Sequence, residues 1–362
     1  MTAYWVTLAV LCYFLWLARG MDPGLDYRPA GTLPTTTSSR VLICLAALLL
    51  IGVAGLRWQV GTDFGQYIAN YEIYKSSFMA DLKSFDEPGA KGLAALVSRI
   101  WDDPAVFIFA ASAITIGLML WTITRYSIAL AVSYLLFVFV GSWHGSFNGL
   151  RQFLACAIVF AGHRLVIDRR PLRFGLVVAL AASFHISALV ALPMYFVPNR
   201  QLRRRMIIVL AMVAGAALYA SDAVLNVVEF VKEGLTITDY VTNRVNPLRI
   251  AVAVAPVLLY WTPGVRTDDD GDWFYRNMAI VHAVVMLAAS WSTNLGRFGI
   301  YTSVFLPLVI PRLVDFPDRR LTLLVRFGVV LLFAAFWYVE VSGSAALNDF
   351  EFSRLITGKS GA

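Results

Sequence analysis

Charge is what this 362-residue chain has least of. Lys, Arg, Asp and Glu make up 15% of it and hydrophobic residues 59%, whereas a soluble domain carries about 25% charged residues. With a mean hydropathy of +0.69, that shortage excludes an ordinary soluble domain and implies an all-α polytopic membrane protein. Cysteine is nearly as scarce. Cys12, Cys44 and Cys156 all lie in apolar runs, where they act as small hydrophobes, so neither a disulfide framework nor a thiolate metal site is expected. Only four histidines are present, and none stands at metal-ligand spacing. A Gly-rich nucleotide loop, a nucleophile elbow and a His-Asp acyl-transfer pair are missing too, so the chemistry expected here uses no metal and no cofactor. There is no low-complexity tract and no internal repeat, which argues against the paired halves of many transporters.

What is present is a series of apolar runs separated by short basic clusters. The net charge of +7 is spent in those clusters, as orientation signals are, and nucleic acid is excluded as a partner. About 20 helical residues cross a hydrocarbon core about 30 Å thick. Ten spans are expected on that basis: Tyr4 to Leu17, Val41 to Leu56, Pro104 to Thr122, Ile128 to Ser142, Phe153 to Ile167, Met206 to Ala220, Leu248 to Trp261, Phe274 to Ser290, Ile300 to Ile310 and Leu321 to Val341. The first has no basic flank before it and no clear cleavage site, so it reads as a retained span. The chain is expected to form a single integral membrane domain, residues 1–362.

Arg169, Arg170 and Arg173, then Arg200 to Arg205, then Arg312, Arg319 and Arg320 mark cytoplasmic loops. With ten crossings, both termini then lie outside. The outer loops become Arg57 to Asp103, Trp143 to Gln152, Ser221 to Pro247 and Trp291 to Gly299. Phe174 to Val197 is long enough to cross, yet basic clusters flank both its ends and "SFHIS" interrupts it. A re-entrant hairpin with His185 near its tip satisfies both clusters, and such broken backbone at membrane depth implies a cavity. A single kinked span with one inverted loop is the alternative.

Several arginines fall on the side that positive charge generally avoids: Arg57, Arg99, Arg151, Arg244 and Arg297. Each alone suits an interfacial anchor. Together they suit an anionic ligand, since guanidinium presents a planar fork of donors to phosphate. Helix N-termini just after Asn148 and Asn294 are expected to add free N–H groups. In the first outer loop, Asp63, Tyr67 and Tyr71 fall at i, i+4 and i+8, on one face if helical, and Glu87 precedes Pro88-Gly89. Carboxylates and tyrosines of this kind suit a sugar, or else a capped helix with interfacial aromatics. His144 and His185 are read as facing the outer cavity, with His185 a candidate general base. His163 and His282 are read as buried and bonded to neighbouring helices.

"RWQVGTDFGQY", "FDEPG", "FNGLRQFLACAI", "FHISALVALPMY" and "GRFGIY" occur in the order and approximate spacing of the EpsG family of bacterial exopolysaccharide proteins, which the chain resembles from about Arg57 to Tyr301. One departure is Ala90, which stands where the family usually has an aromatic. The family in turn resembles Wzy-type polysaccharide polymerases. The resemblance implies a multi-pass protein of the bacterial plasma membrane with a fold similar to GT-C glycosyltransferases. It would join undecaprenyl-pyrophosphate-linked oligosaccharide units on the outer face, without a metal, in a membrane-lipid setting with flippase and chain-length-regulating proteins as candidate partners. Carried over, Arg151, Arg297 and Arg57 look like pyrophosphate ligands, with Arg57 and Asp63 also organising the first outer loop. Asp63 and His185 are the catalytic candidates. Tyr67, Glu87, His144, Asn148, Gln152 and Tyr301 look like sugar- or acceptor-positioning groups. A GT-C enzyme using a polyprenyl-phosphate sugar, a flippase and a structural subunit remain the rival readings.

Overall fold

A computed structural model describes residues 1–84, 87–203, 245–262, 271–290, 296–348 and 350–353, with isolated positions between 205 and 212 and residue 265. Most of the expected span Met206 to Ala220 and nearly all of the loop Ser221 to Pro247 lie outside the described residues.

The protein is helical, with α1 (Thr2–Met21), α2 (Thr37–Gly55), α3 (Phe64–Ser84), α4 (Pro88–Ile100), α5 (Pro104–Tyr126), α6 (Leu130–Phe139), α7 (Ser142–Gly145), α8 (Leu150–Ala161), α9 (Arg164–Ile167) and α10 (Pro171–Phe184) in its first half. A 3-10 segment, Ile186–Phe196, follows, and then α11 (Pro247–Leu259), α12 (Asp272–Ala288), α13 (Ile300–Ser303), α14 (Leu306–Leu313), α15 (Arg319–Ser342) and α16 (Ala345–Asn348). Short polar caps start the long helices: Thr36, Asp103 and Asp318 accept the N–H groups of Ser39, Ala105 and Arg320, which satisfies donors that a helix leaves open.

Among the described residues, α1, α2, α5 and α15 of the ten expected spans have the length and apolar composition to cross a membrane, and five shorter apolar helices accompany them. This is a helical membrane protein. The shorter elements reflect breaks that hydropathy does not register. Gly141 and Gly149 adopt φ of +92° and +62°, conformations that L side chains rarely adopt, and so the run around "GSWHGSFNGL" turns where the loop Trp143 to Gln152 is expected. The expected span Ile300 to Ile310 is divided into α13 and α14, with Pro311 inside α14.

Most arginines gather at one end of the bundle. There the loop after α1 meets the end of α5 through Arg28 N–H to Ile128 O and Gly31 N–H to Arg125 O. Arg326 donates to Asp26 O, and Arg312 donates to Tyr126 O. Asp272 pairs with Arg276 and lies 3.4 Å from Arg312. The hairpin also closes at this end. α10 packs against the returning 3-10 segment, and Arg169 from before α10 donates to Tyr195 O at 2.9 Å and Val197 O at 3.2 Å.

At the opposite end the chain forms a two-stranded ribbon, β1 (Arg57–Trp58) with β2 (Glu351–Phe352), antiparallel, so the C-terminal segment lies on the first polar loop. A second core of Phe64, Tyr67, Tyr71, Tyr74, Ala94, Val97 and Phe107 joins α3 and α4 to α5 beside that ribbon. α3 and α4 are thus a packed helical pair.

Candidate active site

A cavity of roughly 390 Å³ opens at the ribbon end. Its floor and walls come from the turns before α8, from α8 itself, and from α11, α12, α13 and α15. Asp63, His144, Asn148, Gln152, His282 and Arg297 line it, together with Thr62, Arg249 and Glu340.

Asp63 organises the entry to α8. Its Oδ2 accepts the Gly149 N–H at 3.0 Å and the Tyr67 hydroxyl at 3.5 Å, and its Oδ1 accepts the Thr62 hydroxyl at 2.9 Å. Tyr67 in turn accepts the Leu150 N–H at 2.6 Å, and Asn148 Oδ1 accepts the Thr62 N–H at 2.7 Å. Gly61, at φ +103°, lies so close to this turn that a Cβ would stand 2.9 Å from Phe147 O. The "GTD" and "FNG" motifs are thus two sides of one joint. This corrects two expectations. The Gly149 and Leu150 N–H groups are occupied by Asp63 and Tyr67 and are not free for an anion. Tyr67 is buried, with its ring in the second core, and is not presented to a sugar. Burial pushes its pKa up to about 12 even though the Leu150 N–H works the other way, so at neutral pH it is a neutral hydroxyl. Asn294 lies outside the described residues.

Arg57 is 1% exposed. It donates to Ala54 O, to Ser112 Oγ at 2.9 Å and to Phe147 O at 3.3 Å, and it stands over the Phe147 ring. Burial pushes its pKa down to about 10, which leaves it charged at neutral pH. It ties α2, α5 and the α7–α8 turn together. It does not line the cavity, and its guanidinium is engaged by oxygens of the protein instead of being presented to a pyrophosphate.

Arg151, one residue before the cavity-lining Gln152, points to the other flank of α8. It forms an ion pair with Glu87, and its guanidinium stands 5.5 Å from the centre of the Tyr74 ring. Glu87 Oε1 lies 3.6 Å from His185 Nδ1. Three expected residues from segments far apart in sequence therefore meet at one point. Glu87 is held at φ +50° ahead of Pro88, and a Cβ on Gly89 would come within 2.5 Å of Ser183 Oγ. The glycine is what lets α4 start against the tip of the hairpin.

His185 is the extended residue between α10 and the 3-10 segment, and its Nδ1 accepts the Ser187 N–H at 3.3 Å. The Ser187 N–H favours a lone pair on Nδ1, and the Glu87 carboxylate 3.6 Å away favours a proton there. The ring thus stands between the Ser187 N–H and the Glu87 carboxylate through Nδ1, and Nε2 is the nitrogen left for a ligand. Tyr301 is buried, with its hydroxyl 2.9 Å from Ser187 Oγ; it braces the hairpin and does not reach the cavity. Gln152 donates from Nε2 to Arg297 O at 3.2 Å, so α8 positions Arg297. His282 lines the cavity while its Nδ1 lies 2.8 Å from Thr302 Oγ1, and His163 Nε2 lies 2.7 Å from Tyr275 OH, away from the cavity.

Reading the sequence missed Arg249 and Glu340. Arg249 Nε donates to Glu340 Oε2 at 2.6 Å across the cavity rim. The available signal was an acidic residue inside an apolar span, which is costly unless it has a partner or a task. Among the described residues no group of three or more His, Cys, Asp or Glu could hold a metal ion.

The family model described as the EpsG family matches residues 40–353. No curated protein and no solved structure matches the chain.

Proposed function

The chain belongs to the EpsG family, a family of membrane proteins of polysaccharide biosynthesis, and on that premise we propose that it polymerises undecaprenyl-pyrophosphate-linked oligosaccharide units at its ribbon end. The observation that carries the reading is the convergence of Arg151, Glu87 and His185 beside a polar cavity lined by Arg297, at the end of the bundle opposite the arginine clusters. Positive charge marks the cytoplasmic side, so the cavity faces outward, at the plasma-membrane surface of a bacterium. The 171–196 hairpin enters from the cytoplasmic side, with His185 at its tip.

In the reaction an acceptor hydroxyl of one lipid-linked unit attacks the anomeric carbon of a second. The new C–O bond forms as the bond to the pyrophosphate oxygen breaks, and the electron pair leaves with the lipid pyrophosphate. Arg151, Arg297 and the Nε2–H of His185 hold the charge that develops on the leaving oxygens, an interaction stronger in the transition state than before it. Asp63 lines the cavity and keeps a lone pair on Oδ1 beyond its bond to Thr62, so it takes the proton of the attacking hydroxyl. Arg57, Tyr67 and Asn148 hold Asp63 in place, and Gln152 and His144 line the space for the acceptor sugar.

The test is extension of purified lipid-linked repeat units by the detergent-solubilised protein. Wild type yields a ladder of longer lipid-linked chains, and Arg151→Ala, still folded by thermal unfolding, loses it by a factor of about 10² or more. Transport of the intact lipid-linked unit across a vesicle membrane, with no ladder, would instead assign the site to a flippase.

A further inference from the structure

Joining two lipid-linked units brings two lipid pyrophosphates to the protein, the donor's at the reacting carbon and the acceptor's at the far end of its oligosaccharide, and the Arg151 flank supplies one evident place. The other flank of the cavity offers a second. Arg249 lies in the first turn of α11, after the Asn246 cap and Pro247. A cation there opposes the helix dipole, which favours an anion at that end, so helix stability does not account for it. The position is filled by a carboxylate borrowed from another helix. Glu340 of α15 accepts from Arg249 Nε and lies 3.4 Å from Asn246 Nδ2, with its side chain 9% exposed. His144, with its Nδ1 unpartnered and buried, lines the same cavity.

Little else ties this flank together among the described residues. α11 packs mainly on α12, with no comparable packing along α15, and Val245, Ala253 and Met286 form a cluster separate from the main core. The cavity wall next to the ion pair is apolar, made of Val252, Phe333 and Phe336. A charged latch over an apolar wall suits an amphiphile with an anionic head and a hydrocarbon tail.

We propose that Arg249 is the pyrophosphate ligand of a second lipid-linked substrate and that Glu340 occupies it when that substrate is absent. The inference rests on the polymerase reading. Two arginine–glutamate pairs then stand on either side of the α8 site, Arg151–Glu87 beside the cavity at α4 and the hairpin and Arg249–Glu340 on the cavity rim between α11 and α15, one for each lipid pyrophosphate. Phosphate oxygens entering at Arg249 displace a carboxylate that already shows where an anion sits, and the guanidinium fork receives them in its place.

The experiment counts undecaprenyl pyrophosphate bound per protein in phosphatidylcholine nanodiscs. Wild type is expected to bind two. Arg249→Gln and Arg151→Gln are each expected to bind one, and Glu340→Gln to bind two with the second site at least threefold tighter, because the internal competitor is gone. The charge-reversed pair Arg249→Glu/Glu340→Arg controls for a structural role: it restores the ion pair and the unfolding temperature and is expected to bind one. If that variant binds two, or if Arg249→Gln binds as many as wild type, Arg249 is a structural partner and the inference is overturned. One equivalent bound by wild type and lost in Arg151→Gln overturns the inference alone and leaves the polymerase reading standing. No binding that depends on either arginine defeats both.

Discussion

The Tyr67 hydroxyl accepts the Leu150 N–H at 2.6 Å while donating to Asp63, which itself accepts the Gly149 N–H. One side chain from the first polar loop thus caps a helix that begins 83 residues later. Tyr67→Phe is expected to leave the Leu150 N–H buried and unpaired, at a cost of about 1–3 kcal/mol, and to reduce extension because Asp63 loses a support. A pH effect follows. The folded pKa of Tyr67 is about 12, above the unfolded value of about 10, so its contribution is complete below about pH 10 and is lost as pH rises through 12. Unfolding of Tyr67→Phe beside wild type from pH 8 to 12 checks this: the gap in alkaline sensitivity between them opens above about pH 10.

His185→Asn separates two roles. An asparagine oxygen can accept the Ser187 N–H, so the cap on the 3-10 segment survives and the protein stays within about 0.5 kcal/mol of wild type. It cannot reproduce the imidazole Nε2 on the opposite side of the ring. Stability is expected to hold while chain extension falls more than tenfold, whereas His185→Ala loses both. Full activity in His185→Asn would reduce the residue to a cap.

Gly89→Ala tests the joint between α4 and the hairpin. The new Cβ would lie 2.5 Å from Ser183 Oγ and 3.0 Å from the Phe184 ring and Ser183 O. The hydroxyl can rotate away, but the backbone carbonyl cannot, so α4 must shift. A loss of about 1–3 kcal/mol is expected, with a larger fall in activity than in folding yield, because Glu87 two residues earlier moves with the helix. Gly175, with open space around it, is the control for an alanine of similar helix benefit.

Orientation is tested on a background in which Cys12, Cys44 and Cys156 are replaced by alanine or serine. Single cysteines at Ser344, at the ribbon end, and at Arg320, at the arginine-rich end, are expected to react with a membrane-impermeant maleimide in intact cells and only after lysis, respectively. The reverse pattern would place the cavity in the cytoplasm and exclude the outer-face reaction.

The alignment of motifs into one site was legible to the extent that segments carried their own signal. Arg151 was identifiable as a charge at the lip of an apolar run, His185 as a break within one and Glu87 as the residue before Pro88-Gly89, and the structure brings them together. Tyr67, by its helical spacing from Asp63, and Tyr301, by the family motif, were read as ligand-positioning too, but their rings are buried and their hydroxyls are spent on Leu150 and Ser187. Nothing in a local stretch distinguishes a tyrosine that meets a ligand from one that meets a distant backbone.

By itself the sequence determined the class of the protein, the arginine-rich end, the break at His185 and the family, because apolar length, charge position and motif spacing are properties of contiguous residues. Tertiary structure decided the partners: Arg57 on three oxygens, Asp63 and Tyr67 on the start of α8, His185 beside Glu87, and Arg249 with Glu340. Those depend on which helix faces are pressed together across tens of residues, and a buried polar group takes whichever partner packing brings within about 3 Å of it.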